Sequence, residues 1–272
     1  MTTSQRTEHS SSPATVVPDP VVTLSRHTSH VAVITLNQPP VNVQTAQFRR
    51  ELLACFEEIE SDLAIRAVVI VSALEVFCAG GDLSEDQNLG EEDIDAYLRG
   101  LADILERIES LRVPVIAAIN GGVLGGGLEF VLACDIRLAA PGAFFVASGV
   151  NVGLIVSFWR LPQLIGYGPA KEMLLTGSKY TAADALRWGL VSEVHPPEEL
   201  QAAALAKAER IATRAPLSVE VTKDAINRSR TLDVEQNDAL QVERFTQMLR
   251  TRDHQEALQA FFERRPANYE RR

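Results

Sequence analysis

Cysteine, methionine and tryptophan are scarce, with three, three and two copies in 272 residues. Cys55, Cys78 and Cys134 are odd in number and sit in apolar segments. That excludes a disulfide-stapled scaffold and predicts reduced thiols in a reducing compartment, the cytoplasm by default. Histidine is also sparse: His9, His27, His30, His195 and His254 form no His-x-His or His-x-x-x-His pair, so no metal site is expected. Base is outnumbered by acid, 26 Lys and Arg against 36 Asp and Glu, and the net charge of -10 opposes nucleic acid as a partner. Long apolar runs are missing too. The most apolar stretch, Val113 to Ala133, is broken by Pro114, Asn120, five glycines and Glu129, so no membrane span is expected. Residues 1–20 have neither the basic start nor the apolar run of a signal peptide, and read as a disordered leader rich in Ser, Thr and Pro.

What remains is long enough for one large α/β domain with a sizeable core. Val21 to Leu24 and Val31 to Asn37 predict a pair of strands joined by a turn. Phe48, Leu52, Leu53, Phe56 and Ile59 then recur at helical spacing, and Ala67 to Val71 is an all-apolar run suited to a strand covered on both faces. Tyr97 to Ile108 repeats the helix and Val115 to Ile119 the buried strand; Leu128 to Ala133 and Ile136 to Ala139 repeat them again. From Gly168 onward the periodicity is almost wholly helical, through Ala170 to Leu175, Ala182 to Trp188, Leu200 to Ile211, Val219 to Ile226, Val234 to Leu249 and Gln255 to Phe262. This gives a leader at 1–20, an α/β core at 21–196 and a helical region at 197–272.

Two glycine-rich turns follow buried strands, and they carry the candidate chemistry. In the first, Val76-Phe77-Cys78-Ala79-Gly80-Gly81-Asp82-Leu83, a missing Cβ lets a backbone N–H approach a bound group closely. In the second, Asn120-Gly121-Gly122-Val123-Leu124-Gly125-Gly126-Gly127-Leu128-Glu129, three glycines open a helix whose first N–H groups lack internal acceptors and favour an anionic oxygen. A lone glycine pair is more often a tight turn. No Gly-Lys-Ser/Thr follows, so a nucleotide phosphate loop is a weak rival.

The order and spacing of these segments resemble the crotonase (enoyl-CoA hydratase/isomerase) superfamily. The likeness extends through Ala133-Cys134-Asp135-Ile136-Arg137-Leu138-Ala139, Leu175-Thr176-Gly177, Ala185 to Val191 and Ala260 to Arg265. It implies an α/β spiral of β-β-α units with a C-terminal helical trimerisation region, assembled as a homotrimer or dimer of trimers. It also implies an acyl-CoA or enoyl-CoA thioester as substrate, with coenzyme A entering only as part of that substrate and no prosthetic group. By resemblance, the Gly81 and Gly126 amides form an oxyanion hole, in which losing one donor costs on the order of 3 kcal/mol. Glu129 becomes the catalytic acid/base; without the family match, a helix-start glutamate favoured by the dipole explains it equally well. Val41, Val43, Ala79, Asp82, Leu83, Gly125, Ser148 and Gly149 are placed along the substrate and CoA path. Phe245 and Arg264 match positions that reach a neighbouring subunit's CoA.

The pattern fails at one point. Hydratases of this kind carry a second glutamate some twenty residues after the first, and the matching position is Gly149, which transfers no proton. The glycine-rich stretch that follows is replaced by Ile155-Val156-Ser157-Phe158-Trp159-Arg160-Leu161-Pro162, whose aromatics are expected in the core or the pocket wall. Ser148 and Asn151 are polar candidates for the missing acid, though Ser148 has no adjacent base to make it a nucleophile. Cys78 reads as a small buried hydrophobe, and Asp82 and Asp135 as turn caps. A CoA-ester decarboxylase, a thioester hydrolase or a non-catalytic acyl-CoA-binding scaffold are the alternatives.

Overall fold

The structure, a computed structural model, describes residues 19–272; the leader expected at 1–20 lies outside the described residues except for Asp19 and Pro20. The chain runs β1 (Val22–Arg26), β2 (Val31–Leu36), α1 (Ala46–Ser61), β3 (Ala67–Ser72), β4 (Val76–Cys78), α2 (Leu83–Gln87), α3 (Ile94–Ser110), β5 (Val115–Ile119), β6 (Gly122–Leu124), α4 (Gly126–Ala133), β7 (Ile136–Ala139) and β8 (Phe144–Val146). A 3-10 turn at Ser148–Val152 leads into α5 (Arg160–Ile165), α6 (Tyr167–Thr176), β9 (Lys179–Thr181), α7 (Ala182–Trp188) and β10 (Glu193–Val194). Four helices finish the chain: α8 (Pro197–Ala212), α9 (Pro216–Ser229), α10 (Val234–Leu249) and α11 (Arg252–Glu263).

Two sheets form. One has the order β1-β2-β3-β5-β7-β10, antiparallel between β1 and β2 and parallel elsewhere; the other is β4-β6-β8-β9. The successive pairs β3 and β4, β5 and β6, and β7 and β8 each give one strand to each sheet before the chain crosses back through helices, a spiral of β-β-α units. The strands of the smaller sheet are three residues long, too short to show alternation.

Alternation along the longer strands explains why their sequences are apolar throughout. Ile34, Val68, Ile70, Val115 and Ala117 point into one core with Phe48, Leu52 and Phe56 of α1 and Ile104 and Ile108 of α3. Val33, Val69, Ile116 and Ala118, one residue out of phase, point into a second core against Leu200, Ala204, Ala208 and Ala212 of α8. Both faces are therefore sealed, as a parallel sheet requires. Small residues at every fourth position let α8 lie close to the strands. Each fully buried Ile, Leu or Phe in these cores contributes about 1.5–3 kcal/mol. α4 is apolar nearly all round and lies inside the first core through Leu128, Phe130 and Val131. α9 is tied down by Lys223, whose Nζ bonds Asp135 at 2.8 Å and the carbonyls of Ile108 and Val113 at 3.0 Å. Asp135 also accepts the Val115 N–H at 2.7 Å, so it fastens β5 and α9 together rather than merely capping a turn.

Candidate active site

The first glycine turn leaves β4 and at once touches the start of α4. Gly80 has φ +88°, and a Cβ there would lie 2.5 Å from the Gly126 nitrogen and 2.9 Å from that of Gly127, so only glycine fits. Gly126 is as close on its side: a Cβ on it would lie 3.2 Å from the Gly81 nitrogen. The amides of Gly81 and Gly126 thus come from turns in direct contact, as two donors must to share one oxygen. Gly126 also begins α4, whose first N–H groups have no acceptor within the helix.

A short extended segment braces the first turn. The Ala79 N–H donates to the Val41 carbonyl at 3.1 Å and the Gln44 N–H to the Gly80 carbonyl at 2.8 Å, while Val43 bridges Gly80. Asn42, fully buried at φ +54°, donates its amide to Ser72 Oγ at 2.8 Å and to the carbonyls of Val76 and Phe77 at 3.0 Å. Val41, Val43 and Ala79 therefore gather at the turn. Asp82 caps the next one, accepting from the Ser84 N–H at 2.9 Å and from its hydroxyl, and these bonds hold its carboxyl below the usual range. Leu83 is exposed. The Tyr97 hydroxyl approaches Gly81 closely, 3.0 Å from where its Cβ would be, and its ring carries the Arg49 guanidinium at 5.2 Å. Cys78 is fully buried and desolvation pushes its thiol up to about 11, which fits the packing role and not a nucleophile.

Glu129 lies in the first turn of α4. One carboxylate oxygen accepts the Ser157 N–H and the other accepts from Arg160 Nη1 at 3.2 Å. Arg160 opens α5 and grips Glu109 on α3 with its other two nitrogens, at 3.1 and 3.2 Å. Arg230, which follows the last residue of α9, reaches Glu109 at 3.3 Å. The Trp159 ring covers the Arg160 guanidinium at 4.1 Å. Phe158 and Trp159 themselves are 64% and 40% exposed, which excludes the core position expected as one alternative; the Trp159 ring is spent on covering Arg160.

Gly149 is buried, and the room for a side chain is taken. A Cβ there would lie 2.8 Å from the Leu154 carbonyl oxygen and 3.2 Å from Val156 Cγ2. Ser148 stands beside the second turn, its Oγ 2.9 Å from the position of a Gly125 Cβ. Asn151 is directed elsewhere, donating to the Gly177 carbonyl at 2.9 Å. Phe245 and Arg264 are not brought to the glycine turns. Phe245 is exposed on α10 beside Thr222, Ala225 and Ile226 of α9, and Arg264 is an exposed left-handed residue closing α11.

A family model described as enoyl-CoA hydratase/isomerase matches residues 26–272. The chain belongs to the enoyl-CoA hydratase/isomerase family. It is 38% identical over 245 residues to a putative enoyl-CoA hydratase/isomerase of Bacillus subtilis, covering 88% of this chain and 94% of the relative. To the short-chain-enoyl-CoA hydratase of Clostridium acetobutylicum it is 37% identical over 242 residues, 86% of this chain and 92% of that one. The crystal structure of the enoyl-CoA hydratase from Bacillus anthracis superposes with a TM-score of 0.89 at 34% identity, covering 93% of this chain and 100% of the other. The spiral of strands and helices is the fold of this family, and the chain is an enzyme of it. No helix among the described residues is long and apolar enough to cross a membrane.

Sequence reasoning missed Arg160, Glu109, Tyr97 and Gln44 as neighbours of the site. Gln44 is buried with its amide donating to Cys78 Sγ at 3.5 Å, and its Oε1 lies 3.7 Å from the position of a Gly126 Cβ. A signal existed only for Arg160, which lies within the stretch that departs from the family pattern.

Proposed function

We propose that this enzyme enolises acyl- and enoyl-CoA thioesters with Glu129 as its single proton-transferring carboxylate, and that moving a double bond is its preferred reaction. Two observations together support this. The amide-bearing glycines Gly81 and Gly126 meet at the start of the helix that carries Glu129, and the position of the usual partner acid, Gly149, is closed by the Leu154 backbone. Glu129 removes the α-proton of a β,γ-enoyl thioester, and the charge collects on the thioester oxygen, where both amides strengthen their bonds to it. The same carboxyl group returns the proton to the γ-carbon, leaving the α,β-enoyl product. Hydration would need a second group to activate water, and Gly149 supplies none.

CoA lies along Val41, Val43, Ala79, Asp82 and Leu83, with Gly125 and Ser148 facing the acyl part. Phe245 and Arg264 serve the CoA of a neighbouring subunit in a trimer or a dimer of trimers; the exposed Phe245, Phe261 and Phe262 of α10 and α11 give such an assembly an apolar contact. Three buried free thiols suit a reducing compartment, the cytoplasm by default.

The test offers the protein crotonyl-CoA, a β,γ-enoyl-CoA and a malonyl-type CoA side by side. The β,γ-enoyl-CoA is expected to turn over fastest, with Glu129→Gln lowering its kcat by about 100-fold or more. Hydration of crotonyl-CoA at the higher rate would overturn the single-carboxylate assignment, and release of carbon dioxide or free CoA would move the enzyme to a decarboxylase or hydrolase.

A further inference from the structure

We propose that Arg160 is the positioning residue for Glu129, and that Glu109 is its anchor; this rests on the role given to Glu129 above. The guanidinium is held on three sides without Glu129. Glu109 takes its Nε and Nη2 in a two-point grip, and Trp159 covers its face at 4.1 Å. Only Nη1 is left over, and it donates to Glu129 at 3.2 Å. Constraint therefore runs from Glu109 through Arg160 to Glu129, not the other way. Glu109 is itself fixed from the end of α9, through its backbone carbonyl by Asn227 at 2.9 Å and by the capping Arg230 at 3.3 Å.

Chemistry gives this arrangement a purpose. The side chains of Arg160, Glu129 and Glu109 are 10%, 15% and 18% exposed, where charge-assisted bonds are little weakened by water. A carboxylate that must take a proton from one carbon and deliver it to another has to keep one place throughout. With no second acid at Gly149 to share the work, its orientation depends on the Ser157 N–H and Arg160. A planar fork suits this better than a flexible ammonium, because two of its arms can be anchored while the third presents a donor.

The test is a double-mutant cycle on enoyl-CoA turnover, with a second readout in the exchange of the α-protons of a saturated acyl-CoA with deuterated water. Arg160→Gln is expected to lower kcat and α-proton exchange by ten- to a hundredfold with KM changed less than about threefold. Arg160→Lys should recover part of the loss, and Glu109→Gln should lower kcat by a smaller factor. In a Glu129→Gln background, Arg160→Gln should add almost nothing, because the group it positions is gone. Full exchange in Arg160→Gln, a loss confined to KM, or an equal further loss in the Glu129→Gln background would overturn the role of Arg160 and leave that of Glu129 standing. Wild-type protein silent in both assays, or a Glu129→Gln protein as active as wild type, would overturn both.

Discussion

The glycine turns and the Ser148 to Arg160 segment both touch the first turn of α4, and they are built in opposite ways. At the glycine turns, position is set by backbone against backbone, with a Cβ at Gly80 falling 2.5 Å from Gly126 and one at Gly127 falling 2.1 Å from the Cys78 carbonyl oxygen. At the Ser157 to Arg160 end of the second segment position is set by charge: a serine N–H and an arginine held by another glutamate secure one carboxylate. Contact tolerates no variation, whereas an ion-pair network can be rebuilt from other residues. The match to the family pattern is accordingly closest at the glycines, and the departures gather after Ser148.

The largest break in this comparison should come from Gly127→Ala. Its methyl group has no backbone-free space to enter, so stability should fall by about 3 kcal/mol or more. A scanning calorimeter would read this as a Tm lowered by roughly 10 °C, or as failure to recover folded protein. A Tm within a degree of wild type would show that the turns are not in rigid contact.

Gly149→Glu probes the second segment. Restoring the acid by sequence alone should not restore hydration, because the new Cβ would lie only 2.8 Å from the Leu154 carbonyl oxygen; stability should fall by about 1–3 kcal/mol instead. Crotonyl-CoA hydration rising many-fold at unchanged Tm would mean that the segment adapts to its side chains, and that its shape follows from composition rather than the reverse.

The smallest effect is expected where an ion pair stands in water. Glu256 accepts from Arg265 at 2.6 Å and from the Asn268 N–H at 2.7 Å, and these bonds lower its carboxyl to about 2. A folded value below the unfolded one of 4.5 means that the stabilisation is complete above that pH and fades as pH falls towards 2. Glu256→Gln should therefore reduce stability slightly at neutral pH, and the gap from wild type should close across that acid window in parallel urea titrations. A gap that persists at pH 2 would assign its effect to packing.

Much of this was legible from the chain. Helical spacing located α1, α3 and α8 because each buries one face, and the doubly covered strands announced themselves as unbroken apolar runs. The glycine turns and Glu129 stood out because their pattern is local. The three-residue strands β4, β6 and β8 did not, since their pairing is decided by the neighbouring turn of the spiral and not by alternation. Arg160 lies 31 residues from Glu129 and 51 from Glu109, and no spacing rule connects groups that only the crossing of α3, α4 and α5 brings together. Trp159 misled for a related reason, because an aromatic ring over an arginine leaves the same trace in a sequence as one in a core.

The touching turns of Gly80 and Gly126 behave as a mechanical stop. The separation of the two amide donors is set by the steep repulsion between backbone atoms, Gly80 against Gly126 and Gly127. Changes of pH or salt that loosen charged networks elsewhere do not alter that repulsion. The spacing of the donors should stay constant across conditions in which the grip on Glu129 does not.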